Sequence, residues 1–129
     1  MGNENYKILI VDDLPKNIMV LGNNLMNENY QIAYARSGSE AIELTEKNDF
    51  DLILLDIMMP GMDGYTICQN LKEIPEFYDV PVIFLTGKDK ADDMGRSFKS
   101  GGDMFIKKPF SCERLLEIVN IVLMSTGKF

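Results

Sequence analysis

Histidine and tryptophan are both missing from this 129-residue chain, and cysteine occurs only twice. Without histidine there can be no Ser-His-Asp triad, no histidine-bearing zinc site and no internal phosphohistidine. Any nucleophile must then be Asp, Ser, Thr, Lys or Cys. Cys68 and Cys112 stand far apart and form no CxxC unit, so they read as free thiols of a reducing, cytoplasmic compartment. No apolar run approaches the ~20 residues that span a bilayer. The opening MGNENYK lacks the basic and apolar regions of a signal peptide. Positive charge is in deficit: 13 Lys and Arg against 20 Asp and Glu leave a net charge of −7, which disfavours adhesion to nucleic acid or an anionic membrane.

What remains is an ordinary globular composition, 46% hydrophobic and 26% charged. A chain of this length removes roughly two-thirds of its unfolded surface from water as one domain. The expectation is a single domain over 1–129 with its core at about 6–124. Short Val/Ile/Leu-rich runs alternate five times with amphipathic stretches, the pattern of a mainly parallel sheet covered by helices.

Lys7 to Val11 (KILIV) reads as the first strand. A helix follows from Pro15 to about Asn27, with Ile18, Leu21, Gly22 and Leu25 as its inward stripe. Gln31 to Ala35 is a second strand, and Ser37-Gly-Ser-Glu40 is a capping box that opens a second helix. Phe50 to Leu55 (FDLILL) forms a third strand running into Asp56. The breaker-rich IMMPGMDG loop then precedes a helix near Tyr65 to Lys72. Pro81 to Leu85 is the fourth strand, followed by a polar helix from about Lys90 to Ser100 that Gly101-Gly102 closes. Met104 to Lys107 is the fifth strand. Ser111 caps a last helix packed through Leu115, Leu116, Ile118, Val119 and Val122, with Met124 to Phe129 as a polar tail.

Two of these strands end in carboxylate: the first in Asp12-Asp13, the third in Asp56. Open α/β sheets carry their chemistry at the carboxyl ends of the strands. Three acids delivered to one edge repel each other unless a cation sits among them, and a hard divalent ion prefers oxygen ligands. Each residue alone has a plainer role. Asp12 or Asp13 suits a helix cap and Asp56 a turn. Thr86 suits a strand end, Lys108 a solvated charge and Phe105 the core. The nine methionines read as adaptable core filler.

Taken in order, ILIVDD, LILLDIMMPGMDG, FLTG and FIKKPF resemble the receiver domain of two-component response regulators, over nearly the whole chain. The resemblance implies a flavodoxin-like, doubly wound α/β fold: a five-stranded parallel sheet in the order 2-1-3-4-5 with five helices. It implies that Asp56 is the phosphoacceptor, attacking a phosphohistidine or a small phosphodonor. Asp12 and Asp13, with Asp56 and the backbone carbonyl of Met58, would hold Mg²⁺ or Mn²⁺. Lys108 would pair with a phosphoryl oxygen, aimed by a cis bond to Pro109. Thr86 would bond the new phosphate, Phe105 would be the aromatic switch, and Met58 and Lys88 would rim the site.

The implied partners are a sensor histidine kinase or a histidine phosphotransfer protein. A homodimer through the surface of the fourth helix, fifth strand and fifth helix is a further expectation, with no contact to nucleic acid or membrane. The implied domain is no enzyme toward outside substrates; it catalyses only its own aspartyl phosphorylation and dephosphorylation. Gly87, where alanine is common, and Gly101-Gly102-Asp103 depart from the usual pattern without touching a ligand. The VDDLPKN opening, with Pro15 and Asn17, is more similar to receivers joined to hybrid kinases or signalling enzymes than to those of transcription factors.

The alternatives are a phosphorylation-independent scaffold of the same fold and an aspartyl phosphohydrolase. A scaffold typically loses site residues that this chain keeps, and the phosphohydrolase needs a DxD step that Asp56-Ile57-Met58 does not supply. A dinucleotide binder is excluded because VDDLPKN is not a glycine-rich phosphate loop.

Overall fold

The computed structural model describes residues 6–59, 62–86, 104–107 and 111–125. Five parallel strands, β1 (Lys7–Val11), β2 (Gln31–Ala35), β3 (Leu52–Asp56), β4 (Val82–Thr86) and β5 (Met104–Lys107), form one sheet. Their order across the sheet is β2-β1-β3-β4-β5, as the resemblance implies. The helices described are α1 (Pro15–Asn27), α2 (Gly38–Lys47), α3 (Gly64–Lys72) and a C-terminal helix (Cys112–Ser125), with a 3-10 turn at Pro75–Phe77. The helix expected from about Lys90 to Ser100 and its Gly101-Gly102 close lie outside the described residues.

The central strands carry no polar face because the alternating side chains meet helices on both sides. Ile8, Ile10, Leu52, Leu54, Ile83, Leu85 and Ile106 pack beneath α1 and the C-terminal helix. Leu9, Val11, Ile53, Leu55, Val82 and Phe84 pack beneath Ala41 of α2 and Ile67, Cys68 and Leu71 of α3. Every residue of β3 is buried, whereas edge strand β2 keeps Gln31 and Tyr34 exposed.

Local signals set the ends of the elements. Pro15 occupies the first turn of α1, where its missing N–H costs nothing. The buried residues of that helix are Ile18, Leu21, Gly22 and Leu25, the expected stripe. Asn29, at φ 71°, turns the chain from α1 toward β2, a left-handed conformation that asparagine tolerates better than most residues. The Ser37 side chain accepts from the Glu40 amide at 3.1 Å and so opens α2. Ser111 does the same for the C-terminal helix, accepting from the Arg114 amide at 3.0 Å.

Three expectations need correction. The third strand starts at Leu52 rather than Phe50, because the Asp51 carboxylate takes the Lys7 amide at 2.8 Å where a ladder carbonyl would otherwise stand. Phe50 instead packs on Phe77, with the Lys7 ammonium 5.5 Å from its ring centre. The loop after Asp56 contains a short antiparallel pairing, Met58–Met59 with Met62–Asp63. The last helix continues to Ser125 rather than giving way to a tail at Met124, since burial of Leu123 holds its final turn on the sheet.

Candidate functional site

Strand register brings the acids together. β1 and β3 pair with Val11 opposite Leu55, so the next residues, Asp12 and Asp56, leave the sheet side by side. Asp12, Asp13 and Asp56 each offer a carboxylate oxygen, and these three oxygens lie within 4.8 Å of one another. Asp12 is 1% exposed and Asp56 2%, in a chain whose other buried polar side chain, among the described residues, is Thr45.

Asp12 also organises the entry to α1. Its Oδ1 accepts the Leu14 amide at 3.0 Å, an Asx turn, and its Oδ2 accepts Nδ2 of Asn17 at 3.2 Å. The Asp12 amide donates to the Ala35 carbonyl at 3.1 Å, extending the β1–β2 ladder by one residue. Asp13, half-buried, is tied through its backbone: its carbonyl accepts Nη2 of Arg36 at 3.3 Å. The helix-cap role open to Asp12 or Asp13 is not taken: Leu14 is the N-cap, with no side-chain cap bond, and Asp12 turns the chain just before the helix.

Asp56 is pinned from both sides. The Ile57 amide donates to the Leu85 carbonyl at 3.1 Å, holding the strand end against β4. The start of α3 presses on the same backbone. A Cβ on Gly64 would stand 2.8 Å from the Ile57 Cα and 3.0 Å from the Asp56 carbonyl oxygen. Only glycine permits that approach, so Gly64 sets how closely α3 closes over the strand end that carries Asp56.

Three oxygen donors, two of them buried, suit a hard divalent cation and suit no soft one. When ionised they repel at this separation by about 3 kcal/mol per pair at an effective dielectric of about 20. A cation among them removes that repulsion.

Thr86 closes β4 and Phe105 lies within β5, on adjacent strands whose register sets Phe84 opposite Phe105 and Thr86 opposite Lys107. Thr86 thus ends the strand next to β3, and Phe105 lies on the edge strand one further out. Met58 follows that edge in the short pairing, its backbone partnered with Asp63. Lys88, Lys108 and the Lys108–Pro109 bond lie outside the described residues. Sequence reasoning gave Asn17, Arg36 and Gly64 no part in the site. The available signals were an amide five residues past Asp12 and a glycine at the start of a helix rather than beyond its end.

The comparisons agree with this geometry. A family model for the response regulator receiver domain matches residues 8–120. The heme response regulator HssR of Staphylococcus aureus (strain JH9) is 39% identical over 115 residues, covering 89% of this chain and 50% of that protein. The chain thus spans about half the length of the curated relatives it matches. Among solved structures, the receiver domain of a signal transduction histidine kinase from Syntrophus aciditrophicus is 36% identical, with a TM-score of 0.87 over 96% of this chain and 94% of that one. Chemotaxis protein CheY4 of Vibrio cholerae superposes with a TM-score of 0.88 at 26% identity, over 91% of this chain and 98% of that one.

Proposed function

The chain belongs to the response regulator receiver domain family, and on that premise we propose that it is a phosphoacceptor whose Asp56 takes a phosphoryl group from a histidine kinase or a histidine phosphotransfer protein. The observation that carries the reading is the gathering of the Asp12, Asp13 and Asp56 carboxylates within 4.8 Å at the carboxyl end of the sheet. A scaffold that never meets phosphate has no use for this mutually repulsive cluster.

In the proposed step a carboxylate oxygen of Asp56 attacks phosphorus in line. The P–O bond forms as the P–N bond to the donor imidazole breaks, and the imidazole leaves with the bonding pair and takes a proton. Asp12, Asp13, Asp56 and the Met58 carbonyl would hold Mg²⁺, which offsets the charge of nucleophile and phosphoryl group. The three carboxylates fit that role, because their oxygens are hard donors and lie within 4.8 Å of one another. The backbone that carries Asp56 is held by the ladder to β4 and by the close approach of Gly64, so the strand end is fixed before attack. Lys108 would neutralise a phosphoryl oxygen and Thr86 would donate its hydroxyl to another.

Phosphorylation adds roughly −1.5 to −2 of charge. Attraction of Thr86 to that charge, with Phe105 turning into the space released, would shift the population between two conformers of the surface around β5 and the C-terminal helix. That surface would read out the signal, by dimerisation or by contact with a target. The domain would thus act as a single-unit signalling module, catalytic only toward its own Asp56.

Incubation with Mg²⁺ and acetyl phosphate, followed by intact mass measurement, tests the proposal. One phosphoryl group should appear on the parent and none on Asp56→Asn or after chelation. An adduct of equal yield on Asp56→Asn would remove the assignment.

A further inference from the structure

Both carboxylate oxygens of Asp12 are held by donors. One oxygen accepts a backbone amide, Leu14 N at 3.0 Å, and the other accepts a side chain, Asn17 Nδ2 at 3.2 Å. With a donor on each oxygen the carboxylate can neither swing nor rotate freely. Each oxygen still has lone-pair capacity for a cation or its water. Asn17 is itself rigid: it is half-buried, it sits in the first turn that Pro15 starts, and its amide donates to the Leu14 carbonyl at 3.0 Å.

We propose that Asn17 is a positioning residue for the cation site, acting through Asp12 to hold that carboxylate toward Asp13 and Asp56. The inference rests on the reading of those three acids as the Mg²⁺ site. Asn17 touches neither the phosphoryl group nor Asp56 in this scheme; its contribution is to the geometry of one ligand. Partners of this kind typically change metal affinity by 10–100-fold when removed.

A residue serving only the helix gives the opposite pattern. Alanine is a better helix former than asparagine, so Asn17→Ala would then match or exceed the parent in stability and bind Mg²⁺ equally well. Asn17→Asp keeps the shape but sets an acceptor against the Asp12 acceptor.

The test is calorimetric titration of Mg²⁺ into metal-stripped parent, Asn17→Ala and Asn17→Asp, with thermal unfolding of each in chelator and in Mg²⁺. The expected result for Asn17→Ala is affinity weakened about tenfold with a metal-free midpoint below the parent's, because the buried Asp12 carboxylate loses a donor. For Asn17→Asp the metal-free midpoint should fall, and Mg²⁺ should raise it by more than it raises the parent's. Asn17→Ala within about twofold of the parent in affinity, far below the range expected of such partners, would overturn the inference while leaving the site intact. An unlowered metal-free midpoint in Asn17→Asp would overturn the amide–carboxylate contact on which it depends. A parent that binds no Mg²⁺ would overturn the metal reading itself, and the positioning role with it.

Discussion

Removing one charge from the acid cluster should stabilise the protein when no divalent cation is present. Asp56→Asn is the sharpest form of this perturbation, because the side chain is 2% exposed and asparagine has nearly the same shape. At separations within 4.8 Å, each ionised pair costs about 3 kcal/mol at an effective dielectric of about 20. Asp56 faces two such partners. Asp13 is half-buried and partly screened by water, and Asp12 is partly offset by the Leu14 and Asn17 donors. The net gain from removing the charge is therefore about 1–2 kcal/mol, well below the unscreened value.

Urea unfolding followed by circular dichroism reads this directly, since the absence of tryptophan leaves no strong fluorescent reporter. In chelator the variant's midpoint should lie above the parent's with an unchanged slope. In excess Mg²⁺ the order should reverse or close, because the parent gains the larger linkage stabilisation. A variant less stable than the parent in chelator, or the same Mg²⁺ increment in both proteins, would refute the account of the cluster as a repulsive site held for a cation.

Gly64 and Tyr30 offer further tests of the packing. Gly64→Ala should destabilise the fold by about 1–3 kcal/mol and slow phosphorylation of Asp56, since the new methyl meets only backbone, at 2.8 and 3.0 Å. Parent-like urea midpoint and phosphorylation rate would show that α3 yields at no cost. Tyr30 donates its hydroxyl to Asn120 Oδ1 and so ties the start of β2 to the C-terminal helix; Tyr30→Phe should lose about 0.5–1.5 kcal/mol. Burial chiefly, then Glu28 and Tyr6, raise the Tyr30 phenol above its ordinary pKa. The unfolded chain therefore releases that proton first. The phenol's contribution is whole below its unfolded pKa and is lost as pH rises through the folded one. Unfolding across the alkaline range should show that loss in the parent and a weaker one in Tyr30→Phe.

Much of this molecule is legible in its residues, for identifiable reasons. The start and inner face of α1 follow from Pro15 and the stripe at Ile18, Leu21, Gly22 and Leu25. Ser37 and Ser111 cap where short polar residues precede apolar periodicity. The strand order came from the family resemblance, since parity and burial alone do not fix which strand neighbours which. The pairing after Asp56 is not legible, because two-residue strands carry no period to detect.

The three acids stood out because they end buried strands, where a carboxylate is costly without a purpose. Asn17, Arg36 and Gly64 did not. Their contributions are a hydrogen bond or a close approach across the fold, visible only once β1, β2 and α3 converge.

On the proposed reading Asp56, and no other acid of the cluster, carries the phosphoryl group. Borohydride reduces an acyl phosphate to the alcohol, so protein treated with acetyl phosphate and Mg²⁺, then reduced and digested, should yield homoserine at position 56 by peptide mass spectrometry. Homoserine at position 12 or 13 instead, or none anywhere despite bound Mg²⁺, would contradict it.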